Sequence, residues 1–310
     1  MTDSTPYLGP REQLGPFTLL KSGKVRDIYE VDAEHLLFVT SDRVSAFDVI
    51  MPQGIPGKGR VLTAVAEHWF ARTADIIPNH LVTTNVDEIE GLSDEERGLM
   101  RGRIMLVKKA QPTSVEWVVR GYIAGSGWKE YKRTQTVCGI PLPAGLDFCQ
   151  RLTKPLLTPT TKDDLHDEPL TPDEARERVG PAVFDPARAA SLALFARGTE
   201  ELAKIGILLA DTKFEFGLIA GQLVLIDEAL TQDSSRFWPE DQYATGRDQP
   251  SYDKQILRDY LETLDWNKEA PGPELPTELI ERVATRYGEV AEAITGKNPM
   301  HHATNQEASA

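Results

Sequence analysis

The chain is poor in cysteine. Cys138 and Cys149 are the two it has in 310 residues, and they stand in no metal-type spacing. That excludes a disulfide framework and makes a reducing compartment, the cytoplasm, the expectation. Positive charge is also short: 34 Lys and Arg face 48 Asp and Glu, a net charge of −14. Such a balance argues against broad nucleic-acid binding or attraction to an anionic membrane. An anionic small substrate would need a local cluster of Arg and Lys. No run approaches the roughly 18 apolar residues of a membrane-spanning helix. The N-terminus, MTDSTPYLGPREQLGPF, has no basic stretch followed by an apolar one, so no secretory signal is read. Several catalytic motifs are missing too. There is no G-x-x-x-x-G-K-[ST] phosphate loop, no G-x-G-x-x-G after a strand, no H-E-x-x-H and no G-x-S-x-G.

What remains is ordinary for a globular chain, with 40% hydrophobic and 26% charged residues. The length suits one large domain or two closely packed lobes. FTLLKSGKVRDIYEVDAEHLLFVTSD reads as three strands joined by turns. RVLTAVAEHWFARTADI has helical spacing, with Leu62, Val65, Ala66, Trp69 and Phe70 able to share a face. HLVTT, RIMLVKKA and VEWVVRGYIAG read as strands. Ser93 and Glu96 form a capping box. Residues 1–110 are therefore expected to be a small, mostly antiparallel β-lobe with one helix, and 111–310 an α+β lobe. Six prolines from Cys138 through Pro172 suggest a long functional loop or lid. A helix restarts at Thr171, Pro172 and Glu174, and a longer one covers PARAASLALFARGTEELAKIG. A β-hairpin turning at Ala220-Gly221 follows, then helices near 252–264 and 276–295. The last dozen residues are polar and expected to be disordered.

Five segments carry candidate chemistry. In LLADTKFEFGLIAGQLVLIDE, alternation puts Asp211, Lys213 and Glu215 on one face of a strand and Thr212, Phe214 and Phe216 on the other. Buried carboxylates need partners, and a cation on a polyphosphate would serve; a solvent-facing strand with cross-strand ion pairs would also explain them. SGKVRDIYE places Gly23, Lys24 and Arg26 in a turn able to lay N–H groups over phosphates, or merely to turn. TSDRVSAFDVIMPQGIPGKGRVLT holds Asp42, Arg43, Ser45, Asp48, Lys58 and Arg60 in a polar, flexible stretch that suits substrate handling or a surface loop. In VVRGYIAGSGWKEY, Arg120 and a Gly-Ser-Gly turn bearing Ser126 suit a phosphate clamp, or a hairpin with an incidental arginine. TPTTKDDLHDEPLT crowds Lys162, Asp163, Asp164, His166, Asp167 and Glu168 into a proline-flanked loop that matches no standard metal set and could be an exposed acidic loop.

Taken together, GKVRDIYE, SDRVSAFD, GKGRVLT, VVRGYIAGS, TTKDDLHDE, DTKFEFG and LIDEALTQDSSRFWP resemble, in order, the SAICAR synthetase (phosphoribosylaminoimidazole-succinocarboxamide synthase) family over residues 15 to 265. The resemblance implies an α+β, two-lobed fold, kinase-like in outline, with a β-rich N-terminal lobe and ATP in the cleft. It implies a ligase that joins L-aspartate to the carboxylate of a phosphoribosyl aminoimidazole (CAIR) with ATP and Mg2+. By the same resemblance, Gly23, Lys24, Arg26, Val107, Lys108, Lys213 and Glu215 would bind ATP, and Asp227 would hold magnesium. Asp48, Arg120, Ser126, Lys162, Asp167 and Arg236 would bind substrates, with Asp211, Lys213 and Lys58 nearest the chemistry. Partners are the small-molecule substrates, and the assembly is a monomer or small homo-oligomer. A small-molecule kinase sharing the lobes, or a nucleotide-binding regulatory module, are the alternatives in other classes.

Overall fold

The computed structural model describes residues 5–162, 168–252 and 254–300. Its contacts divide it into two compact units. One holds residues 5–68, 81–109 and 254–300, the other 69–80 and 110–252. The expected division made one cut near 110; the contacts also return the C-terminal helices to the N-terminal unit.

The first unit is built on a six-stranded antiparallel sheet. β1 (Gln13–Leu14), β2 (Phe17–Ser22), β3 (Arg26–Glu30) and β4 (His35–Thr40) follow in order. A small hairpin, β5 (Ser45–Ala46) and β6 (Val49–Ile50), precedes helix α1 (Lys58–Arg72), whose last residues count with the second unit. β7 (Leu81–Thr83), α2 (Asp94–Met100) and β8 (Ile104–Lys108) complete the sheet in the order β1-β2-β3-β4-β8-β7. Alternation buries Tyr29, Leu37 and Val39 against Val86, Ile89 and Met100. The Ser93–Glu96 capping box is present at the start of α2.

The second unit centres on one long strand. β9 (Gln111–Pro112) and β10 (Val115–Tyr122) lead to α3 (Gly125–Thr134). The Gly-Ser-Gly stretch, expected as a turn, is thus the first turn of a helix. Of residues 138–172, expected as a long functional loop or lid, those up to 162 instead carry strands. After β11 (Thr136–Val137) and β12 (Ile140–Pro141), β13 (Arg151–Leu157) and β14 (Thr160–Thr161) both pair with β10. β13 lies at the end of the path β13-β10, where Pro155 is tolerated because an edge strand need not donate on both sides. Helices α4 (Pro172–Val179, capped by Thr171 and Glu174) and α5 (Pro181–Ala203) follow. β15 (Ile207–Ile219) then pairs with β10, β9, with β16 (Gln222–Ile226) through the Ala220-Gly221 turn, and with β17 (Ser235–Pro239). Trp117 on β10 and Phe214 and Phe216 on β15 are fully buried, and Trp117 packs on Phe184 of α5. That apolar face leaves the opposite face of the same strands to polar chemistry.

Helices α6 (Gln255–Glu262) and α7 (Thr277–Thr295) close the chain within the first unit. The C-terminal tail expected to be disordered falls, from residue 301 on, outside the described residues.

Candidate active site

The polar face of β10 and β15 carries Glu116, Arg120, Asp211, Lys213 and Glu215, because the pairing of Trp117 with Phe214 and of Arg120 with Asp211 puts even-numbered β10 residues beside odd-numbered β15 residues. Three of these were singled out on β15 from alternation alone. The structure supplies their partners. Asp211, buried, accepts from Arg120 Nη1 at 3.2 Å and from Arg236 Nη1 at 2.5 Å, through the same Oδ2. Arg120 also donates from Nε to Thr158 Oγ1 at 3.0 Å and from Nη2 to Ser126 Oγ at 3.1 Å. Burial pulls the Arg120 guanidinium below its ordinary value; Asp211 opposes this and Arg236 reinforces it. Two guanidinium groups on one carboxylate leave positive charge to spare.

Backbone geometry concentrates that charge. Gly125 has φ +54, and a Cβ there would stand 2.4 Å from Arg236 Nη2; one at Gly127 would stand 3.3 Å from the Arg120 side chain. The positive φ at Gly125 favours glycine, which also lets the Arg236 guanidinium approach the first turn of α3 closely. Ala124 at the N-cap gives no side-chain hydrogen bond, so the first N–H groups of α3 are not capped by it. Arginine, a helix N-terminus and the exposed Ser126 hydroxyl together suit a phosphate dianion.

Further along the face, charges alternate. Lys213 Nζ donates to Glu116 Oε1 at 2.5 Å and lies 3.7 Å from Glu215 Oε1; Glu215 in turn pairs with Lys162. Burial lowers the Lys213 pKa, but Glu116, Glu215 and Asp227 outweigh it and raise the net value, so the ammonium is held charged. Asp227 follows the last residue of β16, and Glu215 pairs with Ile226 beside it. Its φ of +64 is one that Asp tolerates better than most residues. Among the described residues no group of three or more His, Cys, Asp or Glu is placed to hold a metal. A site of one carboxylate suits Mg2+, which takes most of its ligands from phosphates and water. Asp167 lies outside the described residues.

The first unit holds the remaining residues. Gly23 N donates to Arg26 O at 2.7 Å, closing the β2–β3 turn that carries Lys24. The turn is tied down by Arg43, which donates to the carbonyls of Gly23, Lys24 and Leu8 and pairs with buried Asp27 at 2.7 Å. Lys24 pairs with Asp48, and both are exposed. Asp48 and Phe47 form the β5–β6 turn with φ of +64 and +52. Val107 has strand neighbours on both sides, Leu36 and Leu81, whereas Lys108 pairs with His35 on β4. Lys58, expected close to the chemistry, is fully buried, with Nζ 5.9 Å from the centre of the Tyr287 ring.

Sequence reasoning missed Glu116 and underused Arg43. Glu116 breaks an otherwise apolar strand, VEWVV, which was the available signal. Arg43 sat inside a segment already singled out, but its partners lie 16 to 35 residues away.

A profile of the SAICAR synthetase family matches residues 19–273. The phosphoribosylaminoimidazole-succinocarboxamide synthase of Syntrophotalea carbinolica is 53% identical over 283 residues, covering 91% of this chain and 95% of its own. That of an Azoarcus species is 51% identical over 295 residues, covering 90% and 94%. Among solved structures, the SAICAR synthase of Saccharomyces cerevisiae, complexed with SAICAR, aligns with a TM-score of 0.83 at 39% identity, over 91% of this chain and 96% of the yeast one. With a profile spanning most of its length and relatives at half identity over nine-tenths of it, the chain belongs to the SAICAR synthetase family.

Proposed function

We propose that this chain condenses L-aspartate with the carboxylate of CAIR, converting ATP to ADP and phosphate and releasing SAICAR. The observation that carries the reading is the Arg120–Asp211–Arg236 cluster at the start of α3. It suits the 5′-phosphate of CAIR, because planar guanidinium groups and helix N–H donors match phosphate oxygens. Identity near one half to synthases of this name supports the ligase over a small-molecule kinase. An effector-binding module is disfavoured because it would not need the Lys213, Glu215 and Asp227 set.

In this reading a CAIR carboxylate oxygen attacks the γ-phosphorus of ATP, the bond to the β,γ-bridging oxygen breaks, and ADP leaves. The aspartate amine then attacks the acyl carbon, phosphate departs with the carboxyl oxygen, and the amine loses a proton. Lys213 would neutralise charge on the transferring phosphoryl group, and Glu215 would contact the nucleotide. Asp227 would hold magnesium, which when bound offsets phosphate charge. Gly23, Lys24 and Arg26 would present the phosphate-binding turn, and the backbone from Lys108 onward would meet the adenine, since Val107 is paired on both edges. Asp48 would lie near the imidazole carboxylate, and Lys162 and Asp167 would position aspartate. Among the described residues no helix is long and apolar enough to cross a membrane, in keeping with a cytoplasmic enzyme acting on small molecules.

The test is ADP release from ATP and CAIR, with and without L-aspartate, with SAICAR followed by mass spectrometry. Aspartate-dependent turnover with matching SAICAR is expected. ADP release in equal amount without aspartate, with a phosphorylated acceptor, would establish the kinase instead.

A further inference from the structure

Glu116 is the one carboxylate on the polar face to which the proposed reaction gives no task. It is buried, on β10, in register with Thr160 on β14, whose Oγ1 donates to Glu116 Oε2 at 3.4 Å. Its Oε1 takes the Lys213 ammonium at 2.5 Å. A carboxylate withdrawn from water is costly unless its partner compensates. Lys213, partly exposed on a flexible four-carbon stem, could otherwise take many positions.

The two contacts of Glu215 on this face show why a second anchor matters. Glu215 is shared, pairing with Lys162 while lying 3.7 Å from Lys213. In the proposed reaction Glu215 turns to the nucleotide and is no longer available to steady Lys213. Glu116 has little surface through which to leave, and it sits two residues before Val118, which pairs with Lys213 across the ladder. Its pairing with Thr160 also places it beside the strand that runs into Lys162.

We propose that Glu116 is a positioning residue for the reaction: it holds the Lys213 ammonium at the transferring phosphoryl group after Glu215 has engaged the nucleotide. The inference rests on the functional reading above. It assigns Glu116 no contact with substrate. Its effect therefore passes through Lys213 and falls on turnover rather than on CAIR binding.

A double-mutant cycle tests this. In the full-length enzyme, Glu116→Gln is expected to lower kcat by about tenfold to a hundredfold, the range for losing one charge-assisted contact made in the transition state. KM for CAIR is expected to stay within about twofold, as for an interaction absent from ground-state binding. In a Lys213→Met background the same change is expected to alter the residual kcat by less than about threefold, since the coupled partner is already gone. Glu116→Asp keeps the charge one methylene short and is expected to recover part of kcat; it replaces Glu116→Gln in the cycle if that variant does not fold. Additive effects in the two backgrounds, or an unchanged kcat in both single variants, would overturn the proposal. A wild-type chain that forms no SAICAR would overturn the functional reading instead. The cycle would then be read on ATP dissociation constants, where additivity would still count against Glu116 acting through Lys213.

Discussion

One carboxylate serving two guanidinium groups is an unusual load for a single side chain. Asp211 Oδ2 accepts from both Arg120 and Arg236, and Arg120 has its other donors on Thr158 and Ser126. The cluster is thus held before any ligand arrives, which lowers the ordering cost of binding. Arg120→Ala is expected to weaken CAIR binding by about 1.5–3 kcal/mol, or roughly one to two decades, with ATP affinity nearly unchanged. Calorimetry with each ligand decides it, and equal losses for both would move Arg120 out of the phosphate clamp. Asp227 gives the complementary case. Asp227→Asn keeps shape and the left-handed turn, so it is expected to abolish turnover while leaving the thermal midpoint in place. Near-normal activity would remove the magnesium assignment. At this scale the sequence showed which residues carry charge and which face they share, because alternation is local. It did not show their partners: Glu116 lies 97 residues from Lys213 and Lys162 lies 53 from Glu215. Nor did it show that Lys58 is fully buried, with its ammonium 5.9 Å from the centre of the Tyr287 ring.

Elements were legible where their signals are local. Both capping boxes satisfy an i to i+3 rule, and both are present. β13 was not legible. RLTKPLL buries only its second and last residues, so it has no strand-like alternation, and its strand character comes from pairing with β10. The start of α3 was hidden by glycines that stand close to two arginines rather than making a turn. The α2 cap supports a prediction with a sign in pH. Glu96 Oε2 accepts from Ser93 N and Ser93 Oγ, both at 2.8 Å, and Oε1 from Gly15 N, also at 2.8 Å. The Ser93 N–H, then the Gly15 N–H and the Ser93 hydroxyl, hold its pKa below the ordinary 4.5. A depressed carboxylate stabilises the fold fully above the unfolded value and loses that contribution as pH falls through the folded one. Ser93→Ala is therefore expected to cost about 1 kcal/mol at neutral pH. Its cost should shrink as the pH falls through the depressed folded-state pKa of Glu96, and be smallest at a pH below it, where the carboxyl is protonated in both states. Urea unfolding of both proteins at the two pH values checks this, and a pH-independent difference would mean that Glu96 takes no part.

The division of the whole molecule was the least legible feature, because a chain that leaves a unit and returns gives no compositional mark where it returns. Residues 254–300 are separated from residue 109 by a complete second unit, yet they count with the first. The contacts that bring them back are specific. Leu275 N donates to Gln53 Oε1 at 3.0 Å, a Cβ on Gly57 would lie 2.5 Å from the Met300 sulfur, and Tyr287 of α7 is fully buried over the Lys58 ammonium. A buried ammonium is costly, and an aromatic face offsets part of that cost. Helix α7 is therefore part of what stabilises the N-terminal unit, not a terminal appendage. Tyr287→Ala would remove a large buried ring and the aromatic face near the Lys58 ammonium. It is expected to cost about 3–5 kcal/mol, the range for truncating a large buried aromatic residue. Because two units can unfold in separate steps, the measurement is denaturant unfolding followed by hydrogen exchange resolved to peptides. Loss of protection should appear in β2, β3, β4 and β8 as well as in α7, with β15 and β16 unchanged. Loss confined to α7 would show instead that the helix adds nothing to the sheet that carries the proposed phosphate turn.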